Sequence, residues 1–255
     1  MTKNRAEKHS ARARMAANSE PYSVAAHAVA SLTSWSSLDE ALNGGFKPGQ
    51  VYLVTAPSGA SKLPLATNLI AKFALCKRRV LSMDSTLNSS DFNTAVLEAA
   101  SGENAGDWRR EIEKNESLKT IFIGLKPYVS HFAHAYSTAE IGAYLDEEKH
   151  DALVINGFEE SIGDWRATVD GDAEALALKK LAVKYSMPVI VFADTDSTTS
   201  KPVTPALAEA ADTVLELVRS ADALELAVTK NSNGRISTPV KLRVKSGADL
   251  ALIEA

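Results

Sequence analysis

Lys62 is the residue whose type and setting point most directly to chemistry. It follows an apolar run from Val51 and a short turn holding Gly59, and it opens a stretch with helical spacing. In that layout backbone N–H groups and a helix N-terminus cradle a phosphate chain, and the lysine reaches its outer phosphates. The full pattern is Gly-x-x-x-x-Gly-Lys-Ser/Thr. The eight positions here read Ala56, Pro57, Ser58, Gly59, Ala60, Ser61, Lys62 and Leu63. The lysine is in place, whereas both framing glycines and the hydroxyl that would hold Mg2+ are replaced. Weak ATP or ADP binding is the most such a loop offers, with the Mg2+ site lost. The plain alternative for Lys62 is an exposed lysine at a helix start.

Other polar residues compete for a role. Asn156 ends an apolar run and could hydrogen-bond the loop, or simply form an ordinary Asn-Gly turn with Gly157. Asp84 and Asp194 close two further apolar runs. Lys230 could reach a phosphate or be a solvated hairpin residue. His131 and His134 have ligand-like spacing, but no Cys or carboxylate cluster completes a site, so no metal is expected there. Trp35, Trp108 and Trp165 lie beside charged or polar loop residues, which allows partial exposure, with packing as their default explanation.

The elements that must position these residues alternate along the chain. A short helix around Leu38–Glu40 leads through glycines into a strand at Val51. A helix over Leu63–Leu75 follows, with Pro64 in its first turn. The next strand is Arg79–Met83. Residues 89–117 read as helical with a break at Ser101–Gly106, and Leu118–Gly124 as a third strand. Ser137 and Glu140 have capping-box spacing for a helix reaching about Lys149. Ala152–Ile155 has the continuous apolar character of a buried parallel strand. The helix Ala173–Tyr185 and the strand Met187–Phe192 come next. Thr213–Val218, Ala223–Lys230 and Val240–Val244 form a run of antiparallel candidates, with Asn233-Gly234 as the turn between the last two. The expected fold is α/β, a mostly parallel sheet flanked by helices with a C-terminal antiparallel edge. Ligands in such sheets gather at the carboxyl ends of strands, where Lys62 falls.

Bulk properties bound the function. The 255 residues are 45% hydrophobic and 24% charged, ordinary for a globular protein. A net charge of −4 gives no overall basic field for nucleic acid. The lone Cys76 excludes an internal disulfide framework and fits a reducing cytoplasm, so the expected location is cytoplasmic. No apolar run approaches the ~20 residues of a membrane span. Residues 1–31 differ from the rest: an alanine-rich, helical arm with Lys3, Arg5, Lys8, Arg12 and Arg14 against Glu7 and Glu20. It reads as a solvated tail, a nucleic-acid contact or an arm that docks on a neighbouring subunit. Residues 32–255 form the main domain.

From Thr33 onward the residues resemble the RecA-type motor domain of DnaB-type replicative helicases. The carriers are the leader TSWSSLDEALNGGFKPGQ, the block LKKLAVKYSMPVIVF and the tail ADTVLELVRS with LELAVTKNSNGRISTPVKLRV. RadA- and KaiC-like proteins share this core and are the nearest competitors. The resemblance implies a P-loop NTPase fold, and it implies a consistent loss of machinery. The Mg2+-binding threonine falls on Leu63, and the glycine before the lysine falls on Ser61. The catalytic glutamate falls on Thr86, with Asp84 two residues away. The strand-end carboxylate falls on Asn156 and the sensor glutamine near Asp194. Of the two cations that reach a neighbour's site, Lys230 matches and the arginine falls on Ser232. The loops that would grip DNA are acidic, with Glu159, Glu160, Asp164, Asp170, Asp172 and Glu174 against Arg166.

The resemblance therefore implies a helicase-like protein without efficient ATPase activity. Such a protein would be an oligomerising binding or assembly module in DNA replication or mobile-element maintenance, associating with itself or with an active relative. One alternative is a divergent ATPase or helicase in which Asp84, Glu159 or Asp194 has taken over catalysis. The other is a DNA-binding accessory protein acting through the basic arm.

Overall fold

A computed structural model describes residues 33, 35–57, 62–134, 136–158, 171–195, 205–219, 223–232, 234, 236 and 238–255. The basic arm, Ser58 to Ser61 of the phosphate-loop candidate, Trp165 and most of the acidic loop lie outside the described residues. The strands are β1 (Val51–Pro57), β2 (Val80–Asp84), β3 (Val129–Phe132), β4 (Ala152–Asn156), β5 (Val189–Thr195), β6 (Thr213–Arg219), β7 (Leu224–Asn231), β8 (Val240–Val244) and β9 (Leu252–Glu254). Helix α1 is Ser36–Ala41, α2 is Leu63–Leu75, and α3, α4 and α5 are Ser89–Ser101, Trp108–Lys114 and Glu116–Leu125. Helices α6 (Thr138–Glu147), α7 (Gly171–Tyr185) and α8 (Pro205–Ala210) complete the α-helices among the described residues.

The nine strands form one sheet in the order β3-β2-β4-β5-β1-β6-β7-β8-β9. The pairs from β3 through β6 are parallel, and β6-β7, β7-β8 and β8-β9 are antiparallel. Side chains alternate across the pleat, so each strand feeds two cores. One face packs α1, α2, α3 and α5 through Leu38, Leu65, Leu69, Phe92 and Leu125 onto Val54, Val154, Ile190 and Phe192. The other packs α6, α7 and α8 through Ile141, Leu178 and Leu207 onto Leu53, Leu153, Ile155 and Val191. Burial on both faces accounts for the unbroken apolar run of β4.

Three expectations are corrected. Leu118–Gly124 is not a strand; it lies within helix α5, capped by Asn115, whose side chain accepts from the N–H groups of Ser117 and Leu118 at 3.0 and 3.2 Å. The third strand is the short Val129–Phe132, which forms the sheet's parallel edge. The first member of the terminal strand run, β6, pairs parallel with β1, so the antiparallel edge begins one strand later. Trp35 follows its default reading as a packed residue: it is 2% exposed, and the ammonium of Lys72 sits 4.7 Å over its ring. Asn233 lies outside the described residues, and β7 and β8 pair only through Leu224–Leu226 with Val240–Leu242, at the end away from that turn.

Candidate nucleotide site

The register of the parallel strands brings four of the candidate residues onto one face. Asp84 pairs with Asn156 across β2-β4, Ala56 with Asp194 across β1-β5, and Asn156 with Phe192 across β4-β5. Asp194 lies two residues beyond Phe192, so Ala56, Asp84, Asn156 and Asp194 share the face packed by α2 and α3. All four stand at the carboxyl ends of their strands, where α2 begins.

Lys62 is the N-cap of α2, with φ −77° and ψ −23°. Its ammonium is bound by the Asp194 carboxylate, and the two side chains are only 13% and 27% exposed. It is therefore neither a solvated helix-start lysine nor a cation held open for phosphate. A phosphate entering here would have to displace a carboxylate that already supplies the charge and hydrogen bond.

A second closed pair lies two strands away. Asp84 is 2% exposed and accepts three hydrogen bonds: from Thr86 N at 2.9 Å, Thr86 Oγ1 at 2.5 Å and Asn156 Nδ2 at 2.8 Å. Thr86 is consequently a partner of the carboxylate and offers no proton acceptor of comparable strength. The side-chain amide of Asn156 holds the neighbouring strand end in register.

These groups do not fit a magnesium site. Leu63, the first residue of α2, has no oxygen to offer on its side chain. The next hydroxyl on that helix, Thr67, donates to the Leu63 carbonyl at 2.8 Å. The nearby carboxylates are engaged by Lys62 and by Thr86 with Asn156, whereas Mg2+ demands oxygen ligands in near-octahedral array. Among the described residues no cluster of His, Cys, Asp and Glu could hold a metal ion.

The remaining candidates are not brought to this site. Lys230 donates to the carbonyls of Ala208 and Glu209 at 3.1 and 2.7 Å, capping the last turn of α8. Ser232 is exposed, and its N–H donates to the Asp212 carbonyl at 2.8 Å. His131 lies on β3 and stacks on Phe92, with ring centroids 3.6 Å apart. Burial lowers its pKa to about 4, against the opposing pulls of Asp84 and the Leu87 backbone. His134 is exposed beyond the strand. Sequence reading identified Asp194 as a substituted position but missed its pairing with Lys62, because the two are 132 residues apart.

No protein-family model matches the chain, and no curated protein matches it. Solved structures do. One of them, an ATPase domain, superposes with a TM-score of 0.71 at 15% identity, over 88% of this chain and 91% of that one. A DnaB-like replicative helicase, described with its interactions with primase, superposes with a TM-score of 0.66 at 16% identity. That match covers 83% of this chain and 60% of the helicase. No described helix is long and apolar enough to cross a membrane. At these identities the likeness speaks for architecture, and on that ground the chain has the RecA-like α/β fold of DnaB-type helicase ATPase domains, with an antiparallel C-terminal edge.

Proposed function

We propose that this chain is a DnaB-helicase-like protein that has given up efficient ATP hydrolysis and serves as an oligomerising binding or assembly module. The observation that carries this reading is the ion pair between Lys62 and Asp194. Phosphoryl transfer depends almost entirely on positioning and on charge stabilisation by Mg2+, lysine and arginine. Here the lysine is neutralised from within the chain, Leu63 stands where a metal-binding hydroxyl is needed, and Ser232 stands at the arginine position. Asp84 is 2% exposed, and its carboxylate is already engaged by Thr86 and Asn156, so it is poorly placed to take a proton from an attacking water.

A second copy of the chain, or an active relative, is the partner class that suits a retained motor architecture. A role in DNA replication or mobile-element maintenance follows by analogy with the replicative helicase it resembles in fold. Calorimetric titration with Mg2+-ATP tests the proposal. The expected dissociation constant is weaker than ~100 µM, with no steady turnover. Low-micromolar binding, or turnover abolished by Lys62→Ala, would instead mark a divergent ATPase.

A further inference from the structure

We propose that copies of this chain join head to tail, an exposed patch at the amino ends of β2, β3 and β4 receiving the acidic segment 159–170 of a second copy. The proposal rests on the reading of the chain as an oligomerising module and names the two surfaces that meet.

The patch follows from the winding of the fold. Strands β3, β2 and β4 are parallel neighbours. Helices α5, α2 and α6 lead into them in that order, so the last turns of all three helices meet at one end of the sheet. Leu75 closes α2 and Ile123 lies in the last turn of α5, and both are more than half exposed. These two helices pack against each other on one face of the sheet. Each connection from helix to strand adds an exposed lysine: Lys77, Lys126 and Lys149. No salt bridge among the described residues holds any of the three. Arg78 and Arg79 stand beside them but face Asp151 at 3.7 Å and Glu148 at 2.5 Å. With Glu147 counted, five cations oppose three acids, so this end is basic on a chain whose total charge is −4.

The complement lies at the other end. β4 finishes at Asn156 and α7 starts at Gly171, so residues 159–170 leave and rejoin the fold at the carboxyl ends of the strands. The five residues of β4 put roughly 17 Å between the two ends. The segment carries Glu159, Glu160, Asp164 and Asp170 against Arg166, with Ile162 and Trp165 among them. Its acids suit the lysines, and its apolar side chains suit Leu75 and Ile123. Nucleic acid would match the lysines alone. A patch and its complement at opposite ends of one molecule form a heterologous contact, which closes as a ring or continues as a filament.

Sedimentation velocity of the full chain, freed of nucleic acid, should show self-association below ~100 µM at low salt. Rising salt should weaken it by screening the lysines. The patch variant Lys77→Glu/Lys126→Glu/Lys149→Glu should raise the dissociation constant about tenfold or more. The segment variant Glu160→Lys/Asp164→Lys/Trp165→Ala should do the same. Mixed together, the two variants should form a dimer and nothing larger, because only one intact patch and one intact segment can meet. Circular dichroism verifies that both fold. Unchanged association in either variant overturns the head-to-tail contact and leaves the oligomerising reading standing. A wild-type chain that stays monomeric at every concentration overturns both. Association abolished by deleting residues 2–17 would assign the contact to the arm and refute the patch. Oligonucleotide binding that is lost in the patch variant, with self-association unaltered, would assign this end to nucleic acid and refute the proposal as well.

Discussion

A lysine clasped by an aspartate differs chemically from one held open for phosphate, although the sequence around it reads the same. If the Lys62–Asp194 pair is what suppresses nucleotide binding, Asp194→Asn should raise ADP affinity about tenfold, since tenfold corresponds to ~1.4 kcal/mol and partly buried pairs carry energies of that order. Turnover should stay absent, because Leu63 and Thr86 are untouched. Calorimetry on this variant and on the double variant with Lys62→Ala separates the outcomes. An unchanged affinity in Asp194→Asn would show that the loop itself, not the pair, is limiting. His131 supports a different prediction. Its pKa is lowered to about 4 by burial, and that of His150, 9% exposed, is also lowered by burial. The unfolded chain takes up these protons near the ordinary histidine value of ~6.5, before the folded protein does. Stability contributed by the neutral rings is therefore complete above that pH and declines as pH falls toward 4. His131 accounts for at most about 3 kcal/mol of the loss. Urea midpoints measured from pH 7.5 to 4.5 should fall, and should fall less steeply for His131→Leu.

Among the elements, the buried parallel strands were legible, and at β4 expectation and structure differ by a single residue, Asn156. Continuous apolar runs bounded by polar ends leave few other solutions. The misreading at Leu118–Gly124 has a clear cause. Thr120, Ile121, Phe122 and Ile123 are β-branched or aromatic, but tertiary packing outweighs propensity there. Asn115 caps the helix, and Leu118 and Leu125, seven residues apart, are its buried positions. The real third strand, Val129–Phe132, is four half-buried residues at the sheet edge and carries almost no periodic signal. Long-range polar ties were equally invisible in the sequence. Asn68, on α2 and 1% exposed, donates to the carbonyls of Pro64 and Leu250 at 2.7 and 2.6 Å and accepts from Leu252 N at 3.0 Å. Glu98 on α3, 3% exposed, accepts from the N–H groups of Asp249 and Leu250. Together they pin β9 to the helical layer. Asn68→Leu should strand the backbone groups of Leu250 and Leu252 and destabilise the protein by about 2–3 kcal/mol. Hydrogen exchange at residues 250–254 should accelerate more than the global change explains; uniform acceleration would mean β9 is not locally held.

At the scale of the whole molecule, charge is unevenly divided. The arm contains five of the 28 basic side chains and two of the 32 acidic ones, so residues 32–255 keep 23 and 30, a net −7. An acidic body repels a phosphate backbone, and the loops that would face DNA in a related motor contribute to that repulsion. Any affinity for single-stranded DNA should then reside in the arm alone. Five phosphate contacts release counterions to give a log–log salt slope no steeper than about −3.5. Fluorescence anisotropy of a labelled oligonucleotide between 50 and 200 mM salt reads that slope directly. Deleting residues 2–17 removes all five basic residues and should bring binding to background at every salt concentration. A slope well beyond −3.5, or binding that survives the deletion, would mean that the body grips DNA despite its charge. A translocating motor would then be a better description of this molecule than an inert scaffold, and the closed Lys62–Asp194 pair would have to open during its cycle.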